Sequence, residues 1–133
     1  MVIEIIRPSS CQHQRPMRAL SRFGPPILLM AVIFALSAQA DLNSGLGTLD
    51  LIGRKIVHAA TYGLLWWLWQ RALGTRSPLP AALIAIAYAI SDEYHQSFVE
   101  GRHGSPVDVL IDSAGVAIAI ALHSRRRSRT AVE

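Results

Sequence analysis

The chain has 133 residues, enough for one domain at most; 51% are hydrophobic and only 17% charged, against about 25% charged in a typical soluble domain. A lone cysteine, Cys11, excludes an internal disulfide and a cysteine metal cluster. The net charge is +4, but the basic residues flank apolar runs instead of lining an amphipathic face, which argues against a nucleic-acid partner and for a membrane topology signal.

Residues 1–23 carry Arg7, Arg15, Arg18 and Arg22 without convincing periodicity and are expected to form a cytoplasmic tail lacking fixed structure. Met17 offers an alternative start, which the mass of the mature protein would reveal. The first apolar run is Pro25 to Ala40. Its two leading prolines suit a helix N-terminus, where a missing N–H costs nothing. Its end, Ala38-Gln39-Ala40, also fits a signal-peptide cleavage site, so a retained helix and a cleaved signal both remain open. The topology downstream is the same either way.

Asp41 to Asp50, with Asn43, Ser44, Gly45 and Gly47, reads as a loop. A second span is expected over about Leu51–Leu73, ending in Trp66, Trp67 and Trp69 beside Gln70 and Arg71, the composition of an interfacial aromatic belt. After a turn carrying Arg76 comes a third span, Pro80–Val99, then a turn over Glu100–Gly104 and a fourth span, Pro106–His123. The expected fold is all-α, a membrane-spanning four-helix bundle over residues 24–123, followed by a basic cytoplasmic tail over 124–133. With the N-terminus cytoplasmic, the four arginines of each tail plus Arg71 and Arg76 lie inside. Only Arg54, Lys55 and Arg102, of 13 basic residues, lie outside. The positive-inside rule selects this orientation, with both termini cytoplasmic in a bacterial-type plasma membrane.

The polar residues converge under this topology. At about 1.5 Å per residue, His58 sits roughly 10 Å into span two, Asp92 roughly 10 Å from the end of span three, and Asp112 roughly 9 Å into span four, all measured from the outer face. Arg54, His58 and Tyr62 share one helical face, with Lys55 beside them. Tyr88, Asp92, His95 and Gln96 form a stripe on span three, edged by Glu93. Ser105, Asp108 and Asp112 share a face of span four that continues as Gly115 and Ala119, small residues that permit close helix approach. Polar stripes in membrane helices face the bundle interior or a water-filled cavity. The site expected is therefore one outer-face pocket formed by Arg54, Lys55, His58, Tyr62, Asp92, Glu93, Gln96, Arg102, Asp108 and Asp112.

The sequence resembles the VanZ-like family of small helical membrane proteins. The resemblance rests on Lys55-x-x-His58-x-x-x-Tyr62, on Ser91-Asp92-Glu93-x-x-Gln96-x-Phe98-Val99-x-Gly101-Arg102, and on Asp108-Val-Leu-Ile-Asp112-x-x-Gly115, and covers about residues 30–120. Glu100 stands where the family pattern has proline, and Asp112 where it often has asparagine. The best-known member of the family is associated with low-level resistance to the lipid-tailed glycopeptide teicoplanin. The resemblance implies an envelope role and specifies no reaction.

Three cations suit a phosphate or carboxylate, so the expected partner is a membrane lipid headgroup or a lipid-linked amphiphile; no protein partner is indicated. A catalytic alternative would use His58 and Glu93 as acid and base, with Arg102 and Lys55 stabilising charge. The third alternative is a purely structural charge network. A metal site can be drawn from His58, Asp92, Glu93 and Asp112, but they lack any diagnostic metalloenzyme spacing, so neither a metal nor a cofactor is expected from the sequence. Asp108 also fits a capping role, three residues after Ser105 and with Pro106 at the first helical position. His95 and His103 read as exposed and incidental, and Tyr62 and Tyr88 as packing residues that hydrogen-bond inward.

Overall fold

The computed structural model describes residues 14–39, 48–102 and 104–130. These residues are all-helical, in four helices: α1 Gln14–Ser37, α2 Thr48–Leu73, α3 Leu79–Gln96 and α4 Pro106–Thr130. Residues 40–47, which hold most of the expected Asp41–Asp50 loop, and His103 lie outside the described residues, as do 1–13 and 131–133 of the expected tails; the last three residues of the expected loop, Thr48 to Asp50, belong to α2.

Several helix boundaries differ from the sequence expectation. Helix α1 begins at Gln14, so the second half of the expected tail is helical and Pro25 and Pro26 stand inside a helix rather than at its start. Proline can donate no i→i−4 bond. Here the helix runs through both, with Pro26 fully buried, so packing offsets the missing bonds. Helix α4 continues through Arg125–Arg129 to Thr130, where a tail was expected to begin at 124. Arginine is a good helix former, and cations near a helix C-terminus complement its dipole. Helix α3 ends at Gln96, three residues short of Val99, and the chain turns through Gly101, whose φ of 78° is the left-handed conformation glycine adopts freely.

Helix α2 packs most extensively on α4, and α3 lies against both; α1 covers α2 and α3. The core alternates large and small. Tyr62, Leu65 and Trp66 of α2 meet the alanine face of α3, Ala81, Ala82, Ala85 and Ala89, with Val116 of α4 and Ile33 of α1. Where α2 crosses α4 the backbones nearly touch. A Cβ on Gly63 would lie 3.0 Å from the Gly115 carbonyl oxygen, and one on Gly115 would lie 2.0 Å from that of Ala59. The small-residue face of span four thus permits the close approach expected of it.

Large apolar side chains on every helix point outward, among them Leu28, Phe34, Ile56, Leu83, Ile90 and Leu110, whereas Asp92, Glu93, Gln96 and Asp112 are buried. By length and composition, two helical stretches are apolar enough to cross a membrane, Ala19–Ser37 and Pro106–Arg129. Helix α2 carries Arg54, Lys55 and Arg71 along its length, and α3 gives its last turns to polar residues.

The tryptophans divide. Trp67 is exposed, with Arg71 6.0 Å above its ring, while Trp69 is half-buried, its ring 6.3 Å from Phe23. Trp66, expected in the same belt, is a core residue: its Nε1 donates to the Pro78 carbonyl at 3.2 Å, and its ring packs edge-on to His123.

Candidate functional site

The C-terminal ends of α1 and α3 and the N-terminal ends of α2 and α4 meet at one end of the molecule, and the polar side chains collect there. Helix α4 starts on a cap from Ser105, whose Oγ accepts from the Val107 N–H at 3.2 Å. In a capping box an acid on the helix's own first turn would accept the Ser105 N–H. Here Glu93 of α3 takes that place, its Oε2 accepting the Ser105 N–H at 3.0 Å. Asp108 is thereby left to form an ion pair with Lys55 of α2. Gly104 makes the approach possible, since a Cβ there would lie 2.2 Å from the Glu93 carbonyl oxygen.

Arg102, on the α3–α4 turn, reaches back to α1. Its Nε donates to the Gln39 carbonyl at 2.9 Å and one terminal nitrogen to that of Leu36 at 3.3 Å, while the other donates to Gln96 Oε1 at 3.3 Å. A guanidinium on the last carbonyls of a helix satisfies acceptors that have no intrahelical partner and complements the dipole. The sequence showed Arg102 as a cation facing a ligand; it did not show that most of its donors hold α1 in place.

Asp92 is 3% exposed. Its Oδ2 accepts from Tyr62 Oη at 3.2 Å and from Gln96 Nε2 at 3.1 Å, and its Oδ1 has no partner. Gln96 Nε2 also lies 3.4 Å from Glu93 Oε1. Asp112 is 1% exposed, and neither carboxylate oxygen has a hydrogen-bond donor; the nearest charged partner is His58, Nδ1 to Oδ1 at 3.8 Å.

Two cavities open among these groups. The larger, about 260 Å³, is lined by Arg54, Lys55, His58, Glu93, Gln96, Gly101, Arg102, Asp108, Ile111 and Asp112. The smaller, about 100 Å³, lies between α1, α2 and α3 and takes in Tyr62 and Asp92 with Ile33, Leu36 and Ser37; His58 and Arg102 border both. All ten sequence candidates therefore line one cavity or the other, with Tyr62 and Asp92 in the second. The α1 wall was missed, because its contribution is made by backbone carbonyls and apolar side chains. Of the residues read as peripheral, His95 is half-buried and stacks on Phe34 of α1 at 4.5 Å between centroids, and Tyr88 Oη donates to the Met30 carbonyl at 2.6 Å.

Chemically, the larger cavity combines cationic and acidic walls with an imidazole. His58, Glu93 and Asp112, from three different helices, offer ligand atoms all within 4.8 Å of one another. The sequence matches the family model described as VanZ/LLP1 over residues 7–127. Neither the curated proteins nor the solved structures contain a match.

Proposed function

The chain belongs to the VanZ/LLP1 family, and from that premise we propose that it is a multi-pass membrane protein whose polar cavity binds the headgroup of a lipid or lipid-linked envelope amphiphile. The observation that carries this reading is the inversion of polarity: an apolar exterior on all four helices surrounds a cavity walled by charged groups at one end. A water-soluble protein seldom exposes so much contiguous apolar surface, and charged groups kept within a bilayer face an interior or a cavity. The positive-inside count supports a cavity at the outer face of a plasma membrane with both termini in the cytoplasm.

The cavity wall balances three cations, Arg54, Lys55 and Arg102, against three acids, Glu93, Asp108 and Asp112. That suits a headgroup bearing both anionic and hydrogen-bonding groups better than a bare phosphate. A lipid-tailed glycopeptide of the teicoplanin type answers the same description, which keeps the resistance link within the proposal. Mass spectrometry of amphiphiles co-purified with the protein tests it. One envelope amphiphile is expected to be enriched with the wild type and lost with Lys55→Ala. If nothing is enriched, and Lys55→Ala and His58→Ala leave envelope composition and drug sensitivity unchanged, the network is purely structural.

A second reading, an enzyme modifying a lipid-linked substrate, is favoured by Glu93 and His58 facing one space. Glu93→Gln separates the two. An enzyme loses its function and keeps its ligand; a binding module keeps both function and ligand.

A further inference from the structure

We propose that His58, Glu93 and Asp112 form a binding site for a divalent cation of the zinc or manganese type. The inference does not depend on the headgroup reading; it stands on the donor set and on what that set lacks.

The donors are one imidazole and two carboxylates, one from each of α2, α3 and α4, with ligand atoms within 4.8 Å of one another. Ligands about 2.1 Å from a common ion stand about 3–4 Å apart, so modest side-chain rotation brings the three onto one ion. His58 Nδ1 and Asp112 Oδ1, at 3.8 Å, are already at that separation. A mixed nitrogen and oxygen set suits zinc and manganese better than calcium or magnesium, which favour oxygen alone.

The second observation is the state of Asp112. Its carboxylate is 1% exposed, borders the larger cavity, and has no hydrogen-bond donor on either oxygen. Its charged partner, His58, stands 3.8 Å away, beyond hydrogen-bond range; a buried carboxylate with no donor is costly, and proteins keep one where it pairs closely or coordinates. Glu93, by contrast, is held in place by two donors, the Ser105 N–H on Oε2 and Gln96 Nε2 on Oε1. That is the support a ligating carboxylate ordinarily has. Three protein ligands leave the remaining positions of the ion open to the cavity, the arrangement of sites that bind an exogenous molecule. The ligands come from helices far apart in sequence, so no spacing motif could have disclosed them.

The test uses the full-length protein in detergent, stripped with chelator, and titrated with zinc and, separately, manganese by calorimetry, with metal per chain counted by mass spectrometry. About one cation per chain is expected. His58→Gln and Asp112→Asn should each weaken binding at least tenfold, and Glu100→Gln, an exposed acid outside the cluster, should leave it unchanged. Circular dichroism reports whether each variant is folded, and Glu93→Gln replaces any that is not. The proposal is overturned if folded wild type binds neither cation saturably, or if the folded His58, Glu93 or Asp112 variants bind as tightly as wild type. No lipid enters this experiment, so its failure leaves the headgroup reading standing, and a failed lipid enrichment leaves this one standing.

Discussion

At the residue scale, Asp92 shows how the site is held together. One oxygen takes two donors, Tyr62 from α2 and Gln96 from its own helix, so the carboxylate ties α2 to α3. Tyr62→Phe removes one donor and keeps the ring in the core. Unfolding in detergent should show a loss of about 1–2 kcal/mol, the range for leaving a buried acceptor short of a partner; an unchanged midpoint would mean the bond contributes nothing. Helical spacing alone made Tyr62, Asp92 and Gln96 legible as facing groups, because i, i+4 positions share a face whatever the tertiary fold. Spacing could not reveal that Glu93 accepts the Ser105 N–H, or that Arg102 donates to the carbonyls of Leu36 and Gln39. Those bonds involve backbone atoms, which every residue has and no sequence pattern marks.

At the scale of elements, the α2–α4 contact decides the geometry. Gly115 leaves no room for a side chain against Ala59, while Gly53, on the exposed side of α2, has nothing within 4 Å of where a Cβ would stand. Gly115→Ala should therefore destabilise by about 1–3 kcal/mol through overpacking, and Gly53→Ala should stabilise by up to about 1 kcal/mol through helix propensity. Thermal unfolding of the pair checks both signs, and equal shifts would refute the close-contact explanation. The four helices were legible from their apolar runs. Their ends were less so: the prolines of α1 signalled a start that packing overrode, and the arginines after His123 looked like a tail because charge was weighed above helix propensity. Trp66 was assigned with its neighbours as an interfacial anchor, yet one residue along a helix is a turn of about 100°, enough to put Trp66 in the core and Trp67 outside.

For the whole molecule, the alternation of four helices brings the N-terminal ends of α2 and α4 to the same end as the C-terminal ends of α1 and α3. The proposed topology puts that end outside the cell. With Cys11→Ser as background, Glu100→Cys should react with a membrane-impermeant thiol reagent in intact cells, and Arg76→Cys only after permeabilisation. The reverse pattern would overturn the orientation, and labelling of both in intact cells would overturn the multi-pass reading.

The Lys55–Asp108 pair joins positions 53 residues apart, which sets an order of events during synthesis. At about 5–20 residues per second, α2 waits roughly 3–10 s for the helix it packs against most. Through that interval Lys55 stands without Asp108 and His58 without Asp112, and Gly63 lacks the Gly115 backbone that later packs against it. The polar end is thus completed only once α4 has been translated. A chain stopped before α4 would present the Lys55 ammonium without Asp108 and the His58 imidazole without Asp112.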